Sequence, residues 1–387
     1  MGIPEPIGWK GRDAMRLANG VVELIALTEG GHLAEFRFLE QNGAPSQNVF
    51  WEAPWITAES TEKQLEELSQ TAGFTGHALC LDYFGPPSAD EAAAGLPLHG
   101  EAAAKYWKVI QPTKTTEAVC QWNVQLPVAH LLFTRKIRLG DQESVVYIEE
   151  SVRNQRGVDH ACHWVQHATF SPPFLNAAES TLTASAQRGM TSPSGYEGCS
   201  LLANNREFLW PYAPCEADDE AAVDLRQPFA VKGRGAIAAI QLDPRRKVEY
   251  MLAMNWKLRL GVGYCFRRKD FPWMTIWEEN CARQDAPWNG KTQARGMEFG
   301  TTPLPLGREE TLRRGNLFDT PGWRVIPAHG TKTARYLLFL FILPEGMNSV
   351  ETVEAKGDAI VFYDEHANPS LSISAHGCEE FLSDENS

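Results

Sequence analysis

Short stretches in which apolar and polar residues alternate, or in which apolar residues follow one another, recur throughout the chain. Gly, Pro, Asn and Asp residues separate these stretches, which is typical of β-strands joined by turns. Because helical periodicity is rare, the sequence predicts one large antiparallel β-sandwich with few short helices. Strands are expected at 21–27, 33–39, 107–110, 119–126, 131–139, 144–152, 162–170, 248–260, 262–266, 274–277 and 336–343.

The stretch ACHWVQHATFSPPFLN at 161–176 combines two histidines, a tryptophan and a Pro-Pro pair. In a strand, successive side chains point to opposite faces, so His163 and His167 are expected on the same face. The prolines at 172–173 have no backbone N–H to donate, so the strand must end before them. His167 therefore lies near a strand end, where a sheet can present it to a ligand.

Four segments depart from the strand pattern. A short helix is expected at 61–69, where Thr61 and Gln64 have capping-box spacing. The Gly-, Pro- and Ala-rich segment 73–97 is interpreted as a long excursion, and the acidic segment 197–224 as a loop. The acidic tail 379–387 is expected to be frayed. Since no repeat, linker or domain boundary is evident, residues 1–387 are expected to form a single domain.

Composition narrows the possible functions of this 387-residue chain. Its formal net charge of −13 argues against a surface that binds nucleic acid or an anionic membrane. No apolar run approaches the roughly 18 residues that span a bilayer, and the N-terminal residues contain no secretory apolar region. The eight cysteines include no CxxC pair, so we interpret them as reduced thiols of a cytoplasmic protein.

Three titratable residues lie beside Gly or Pro residues that shape the backbone locally. They are His99 in GLPLHGE, His167 in QHATFSPPF and Glu298 in RGMEFGTTPLP. Taken singly, each histidine is also compatible with a hydrogen-bonded structural role, and Glu298 with a solvated charge at a strand end. Arg295 is expected on the opposite strand face from Glu298, so the two need not pair.

Other residues could serve a ligand site. His163 and His167 have the spacing of zinc ligands on a helix, but the local pattern is not helical and no HExxH motif is present, so no metal site is expected. Trp273 and Trp277 could offer a stacking platform for a sugar, or belong to an aromatic core. His77 and Asp82, within the segment 73–97, could bind substrate, or be ordinary loop and turn residues.

Taken in order, these motifs resemble the aldose 1-epimerase, or galactose mutarotase-like, family. The resemblance rests on the early hairpin with Gly30-Gly31, the His-Gly pair after a long loop, the histidine before a short aromatic-Pro segment, and the late glutamate before a turn. It extends over most of the chain. The family implies a β-supersandwich that binds a monosaccharide, or a sugar derivative, and acts on it without a cofactor.

By this resemblance, His167 matches the general acid, Glu298 the general base, and His99 a second histidine that holds the sugar near its ring oxygen. The sequence departs from the family in two places. HWVQHATF replaces an asparagine-rich segment before the acid histidine, and the region GFTGHALCLDYFG at 73–85 lacks the arginine usual in the first long loop. The substrate-binding residues are therefore expected to be His77, Asp82, His163 and Trp277, and the identity of the sugar stays open.

Other functions on the same sandwich remain as alternatives. A non-catalytic carbohydrate-binding protein would need the aromatic platform without titration of Glu298 or His167. A glycoside hydrolase or lyase would generally need a second carboxylate, for which Glu278 and Glu279 are available. A metal-dependent isomerase would use His99, His163 and His167 together with Glu298.

Overall fold

Antiparallel strands dominate the computed structural model, which describes residues 3–40, 45–57, 73–110, 118–217 and 221–383. The expected helix at 61–69 lies outside these residues. In chain order the strands are β1 (Glu5–Trp9), β2 (Arg12–Ala18), β3 (Val22–Leu27), β4 (Leu33–Phe38), β5 (His77–Asp82), β6 (Lys108–Ile110), β7 (Val119–Leu126), β8 (Leu131–Leu139), β9 (Val145–Asn154), β10 (His160–Phe170), β11 (Ser180–Ala184), β12 (Ala186–Thr191), β13 (Glu207–Leu209), β14 (Tyr212–Pro214), β15 (Ala222–Asp224), β16 (Arg234–Leu242), β17 (Val248–Asn255), β18 (Leu260–Arg267), β19 (Trp273–Asn280), β20 (Gln293–Gly300), β21 (Arg324–Ile326), β22 (Thr331–Ile342), β23 (Thr352–Lys356), β24 (Ala359–Tyr363) and β25 (Pro369–Ser374).

The strands form three sheets. The first follows the order β1-β2-β3-β4-β5-β10-β20-β19-β16-β12-β13-β14-β15, with β21 added to β10. The second follows β11-β17-β18-β22-β9-β8-β7-β6, and the third is β23-β24-β25. All pairings between these strands are antiparallel, so the predicted all-β antiparallel sandwich is confirmed.

Helices are short in the described part of the chain. They are α1 (Ala89–Ala93), α2 (Arg308–Arg314), α3 (Cys378–Leu382) and one 3₁₀ turn at Ala102–Ala104. Helix α1 begins with a capping box in which the Ser88 side chain accepts from Glu91 N and the Glu91 side chain accepts from Ser88 N. None of the helices in the described ranges is long and apolar enough to cross a membrane.

Strand β22 shows how the layers are held together. Tyr336 and Leu338 point into the core between the first and second sheets, whereas Leu337 and Phe339 point to the opposite side. There they pack against the third sheet, among residues such as Phe362. A strand that is buried on both faces has no polar face, which explains the continuous apolar run at 336–343.

Three sequence-based interpretations need correction. Segment 73–97 is not an excursion throughout, because HALCLD forms strand β5, all of it buried in the first sheet. Segment 197–224 contains three short strands rather than only a loop. The tail is not frayed from Glu379, since helix α3 buries Cys378 and Leu382 against the third sheet. Residues 384–387 lie outside the described ranges.

A buried ion pair lies between the two large sheets. Arg135 of β8 donates from Nε to Glu150 Oε1 of β9 at 2.7 Å, and from Nη1 to the carbonyl of Gly31 at 2.6 Å. The other carboxylate oxygen, Oε2, accepts from Trp164 Nε1 at 3.0 Å and from Gln166 Nε2 at 2.6 Å, both on β10. This network therefore ties β10 of the first sheet to the second sheet.

We expect Glu150→Gln to reduce the free energy of unfolding by about 3–5 kcal/mol, because it leaves the Arg135 guanidinium buried without its counter-charge. Urea unfolding followed by circular dichroism measures this change. Lys257→Gln, which breaks an exposed pair with Glu179, is the control and should change stability by less than about 1 kcal/mol. Equal effects of the two substitutions would show that the buried pair does not hold the sheets together.

Candidate active site

A cavity of about 340 Å³ opens on the face of the first sheet that points away from the second sheet. This volume lies at the small end of the range of about 300–1,000 Å³ for ligand pockets, and suits a compact ligand. Strands β5, β10, β20 and β19, which are neighbours in the sheet, form its floor. The lining side chains include two histidines, two glutamates, an arginine, three threonines and three tryptophans, namely His99, His167, Glu197, Glu298, Arg283, Thr75, Thr169, Thr275, Trp51, Trp277 and Trp288.

Strand register brings His167 and Glu298 together on this floor. His167 of β10 lies directly opposite Glu298 of β20, and Glu298 lies opposite Thr275 of β19. Opposed residues in an antiparallel pair share a face, so all three side chains point into the cavity. His167 Nε2 is 3.2 Å from Glu298 Oε1. Residues separated by more than a hundred positions in the sequence thus form one contact.

The Glu298 carboxyl group is buried, and only 2% of its side chain is exposed. Its Oε2 has no hydrogen-bond partner. Burial raises the pKa of Glu298 well above its ordinary value, because the charged form loses its hydration. Glu298 lines the cavity, so its carboxyl group brings an unsatisfied oxygen to the cavity floor.

Gly296 makes room for this carboxyl group. It precedes Glu298 by two residues on β20 and therefore lies on the same face. A Cβ at this position would stand 2.6 Å from Glu298 Oε1. The absence of a side chain at Gly296 is what allows the carboxyl to lie beside His167.

His167 is held from its other ring nitrogen. Its Nδ1 is 2.9 Å from Thr169 Oγ1, two residues along the same strand face. The ring also contacts Phe74 edge-on and Trp277 at a centroid distance of 5.9 Å. Burial lowers the pKa of the His167 imidazole to about 4. Burial therefore favours a neutral imidazole next to a neutral carboxyl group.

His99 enters the cavity from the segment that follows α1. Its ring centroid is 6.1 Å from that of His167 and 5.8 Å from that of Phe84. Its Nδ1 accepts a hydrogen bond from Gly85 N at 3.3 Å. Burial, together with the nearby His167, lowers the pKa of His99 to about 3. His99 is thus a neutral hydrogen-bonding group at the edge of the cavity.

The backbone around His99 is tightly constrained. His99 has a φ of 64° and Gly100 a φ of 83°. A Cβ on Gly100 would stand 1.9 Å from the carbonyl oxygen of Leu81 in β5. Only glycine permits this approach, so the His-Gly pair sets the position of the imidazole relative to the sheet.

An aromatic wall and an arginine complete the cavity. The rings of Trp51 and Trp288 are parallel with centroids 6.0 Å apart, and Trp277 lies 6.0 Å from Trp288. The guanidinium of Arg283 is 4.7 Å from the centre of the Trp288 ring, and Glu197 pairs with it at 3.1 Å. Sequence analysis did not single out Arg283, Trp51 or Trp288, because they follow no motif and reach the cavity only through the fold.

Three of the residues expected to bind substrate do not line the cavity. His77 points into the core between the sheets, where Tyr264 Oη lies 3.0 Å from its Nδ1 and Gln166 Oε1 lies 2.9 Å from its Nε2. It occupies the inward position of β5, and its neighbour Ala78 is the residue that faces the cavity. Burial lowers the pKa of His77 to about 3, so His77 is a neutral residue of the core.

Asp82 and His163 have structural partners next to the cavity. Asp82 Oδ1 lies 2.5 Å from both His160 Nε2 and Arg308 Nη2, which fixes the first residues of β10 and α2 to the end of β5. His163 Nδ1 accepts from Phe84 N at 3.1 Å, and the ring lies outside the cavity lining. Of the four residues expected to bind substrate, the structure therefore places only Trp277 in the cavity.

Glu278 and Glu279, the other carboxylates considered in the sequence analysis, are hydrogen-bonded to other side chains. Glu278 accepts from Arg295 Nη1 at 2.7 Å on the inner face of the sheet, as expected for residues that alternate with Glu298. Glu279 accepts from Tyr196 Oη at 2.7 Å. Within the described ranges, no group of three or more His, Cys, Asp or Glu side chains is arranged to hold a metal ion.

Comparisons with known proteins identify the fold. No protein-family model and no curated protein sequence matches the chain. A galactose mutarotase-like protein from Clostridium acetobutylicum superposes with a TM-score of 0.61 at 12% identity, covering 88% of this chain and 98% of that chain. A galactose mutarotase related enzyme from Lactobacillus acidophilus gives a TM-score of 0.56 at 13% identity, covering 87% of this chain and 100% of that one.

A third similar structure, a galactose mutarotase-like protein from Lactobacillus casei, has a TM-score of 0.54 at 11% identity, and the match covers 85% of this chain and 100% of that chain. At such identities the likeness concerns the fold. The expected supersandwich is confirmed by these matches, and the chain has the galactose mutarotase-like fold.

Proposed function

We propose that this protein is an aldose 1-epimerase-like isomerase that interconverts the anomers of a monosaccharide or a sugar derivative. The observation that carries this proposal is the contact of His167 with Glu298 on the floor of a sugar-sized cavity, with Glu298 Oε2 left without a partner. The galactose mutarotase-like names of the similar structures support the same class of reaction.

The reaction needs two proton transfers at neighbouring oxygens. Ring opening removes a proton from the anomeric hydroxyl and delivers one to the ring oxygen, and each transfer by a positioned side chain contributes about 10²- to 10⁴-fold. In the proposed mechanism Glu298 takes the hydroxyl proton and His167 protonates the ring oxygen. The aldehyde then rotates, and the two residues exchange roles as the ring closes. His99 holds the sugar near its ring oxygen.

Binding of a sugar would give Glu298 and His167 the protonation states that the general base and the general acid need. By itself, burial favours the proton on Glu298 and a neutral His167. A sugar hydroxyl that donates to Oε2 gives the carboxylate the hydrogen bond it lacks, which favours its charged form. The proton can then pass over 3.2 Å to His167, and the pair is ready for ring opening.

The aromatic wall supports a sugar as the ligand. Trp277 and Trp288 present apolar surface next to hydrogen-bonding groups, a combination that suits the alternating C–H and O–H groups of a pyranose. Thr169 and Thr275 add hydroxyl groups to the floor. The hydrolase alternative is less well supported, because Glu278 and Glu279 do not line the cavity, and Glu197, which does line it, is paired with Arg283.

We expect Glu298→Gln and His167→Asn each to lower kcat for anomer exchange by about 10²- to 10⁴-fold, because each removes one proton-transfer group. One-dimensional NMR on a panel of pure anomers measures the exchange rate. Glu354→Gln, at an exposed strand position, is the matched control and should retain full activity. If wild-type protein binds a sugar without exchanging its anomers, the protein is a carbohydrate-binding protein rather than an enzyme.

The dependence of kcat/KM on pH should show a wide plateau. Protonation of His167, whose pKa burial lowers to about 4, would give the pair two protons and no acceptor, so activity falls as the pH drops through about 4. The alkaline limb, where Glu298 loses the remaining proton, lies well above its ordinary pKa. Polarimetry corrected for the uncatalysed rate measures the profile. An acid limb near 6.5, the pKa of an exposed histidine, would contradict it.

Gly296→Ala should lower kcat/KM by about 10²-fold while the fold is kept, because the new methyl group displaces the Glu298 carboxyl from His167. Gly8→Ala is the control, since a Cβ on Gly8 in β1 meets nothing within 4 Å. Exchange rates and thermal unfolding of both variants are compared with the wild type. Unchanged activity of Gly296→Ala would mean that the position of the carboxyl does not limit the reaction.

A further inference from the structure

A second cavity lies away from the proposed active site, and its charge is opposite to that of the protein. It has a volume of about 680 Å³ and is formed by the end of β18, the segment before β21 and the start of β22. We call it the cationic cavity. Its charged lining side chains are four cations and one carboxylate, namely Arg267, Lys269, Arg324, Lys332 and Asp270.

The single carboxylate is already shared. Asp270 Oδ2 accepts from Arg267 Nε at 2.5 Å and from Arg335 N at 3.2 Å, while Oδ1 lies 3.5 Å from Arg324 Nη1. Asp270 can therefore neutralise only part of the positive charge around it. In a protein with a net charge of −13, such a local excess of cations is not a consequence of overall composition.

One guanidinium group is left with an unused donor. Only 2% of the Arg267 side chain is exposed, and its Nη1 is buried without a hydrogen-bond partner although Nε and Nη2 are bonded. Burial also lowers the pKa of Arg324, with Arg267 contributing to the shift. Buried donors without partners are costly, so the Arg267 guanidinium brings an unsatisfied hydrogen-bond donor to the lining of the cationic cavity.

We propose that the cationic cavity binds the phosphate group of a small phosphate monoester or of inorganic phosphate. The planar fork of an arginine matches the oxygens of a phosphate, and two negative charges balance the surplus of cations better than one carboxylate does. Trp323 lines the same cavity and offers apolar surface to the remainder of an ester.

This site is separate from the proposed active site. Arg324 of β21 pairs with Cys162 of β10, five residues before His167 on the same strand. At about 3.3 Å per residue the two positions lie about 16 Å apart along β10. None of the residues that line the cationic cavity lines the cavity around His167.

Isothermal titration calorimetry of the full chain at low salt tests the proposal, with inorganic phosphate and glycerol 3-phosphate as probes and glycerol as the uncharged control. We expect saturable binding of at least one phosphate probe, weakened by added salt, and none of glycerol. Tighter binding of the ester identifies the ester as the ligand class, and equal or tighter binding of phosphate identifies the free anion.

Two variants locate the binding. Lys332→Glu, at an exposed position that lines the cationic cavity, should weaken binding by about tenfold or more. Lys108→Glu makes the same charge change on the exposed edge strand β6, four strands from β22, and should have little effect. Glu298→Gln should leave phosphate binding unchanged, because Glu298 belongs to the other cavity.

Three results would overturn the proposal. They are the absence of saturable binding by the wild type, equal weakening by Lys332→Glu and Lys108→Glu, and loss of phosphate binding in Glu298→Gln. The first shows that no phosphate site exists, the second indicates a diffuse effect of net charge, and the third assigns the phosphate to the cavity around His167. None of them depends on whether the protein exchanges anomers.

Discussion

The alignment of β10 with β20 is the constraint on which the proposed site depends. Side chains alternate between the two faces of a strand, so a shift of one residue would turn His167 into the interior and bring Gln166 to the surface. A shift of β20 by one residue would instead bring apolar Met297 or Phe299 to the cavity and turn Glu298 into the core. The apolar face of the sheet, which must be buried, therefore fixes the position of the polar pair on the other face.

The interior of the sandwich reinforces this alignment with polar contacts. Trp164 and Gln166, on the inward side of β10, both donate to Glu150, which pairs with Arg135 of the second sheet. His77 of β5 bonds to Gln166 in turn. These bonds have direction as well as strength, so they specify a single arrangement of β5 and β10 where apolar packing alone would tolerate several. The positions of His167 and Glu298, on the other face of the same sheet, are fixed by the same arrangement.

Much of the fold could be predicted from the sequence, because alternation and punctuation are local signals. The strands at 119–126 and 131–139 coincide with β7 and β8, and the apolar run at 336–343 lies almost wholly within β22. Strand β5 was missed because the Gly-, Pro- and Ala-rich composition around it outweighed the short apolar run HALCLD. Short strands in polar segments, such as β13, carry too few residues to show a pattern.

The site was only partly predictable for a related reason. His99, His167 and Glu298 lie next to turn-forming residues, which marks them in the sequence, and the structure brings the three together around one cavity. Their roles in catalysis stay a prediction. His77 and Asp82 also had the chemistry of substrate-binding residues. However, tertiary structure turns His77 towards the core and pairs Asp82 with Arg308. Arg283 belongs to no motif, and its ion-pair partner Glu197 comes from a distant segment of the chain.

The burial of β22 on both faces has a consequence for how the protein is made. Leu337 and Phe339 are covered by residues of the third sheet, which is synthesised after them. Until the third sheet leaves the ribosome, the nascent chain carries an uncovered apolar surface on its second sheet, a state that attracts chaperones and favours self-association. The outer face of the second sheet is thus covered only after the third sheet has been synthesised, whatever the rate at which the earlier strands pair.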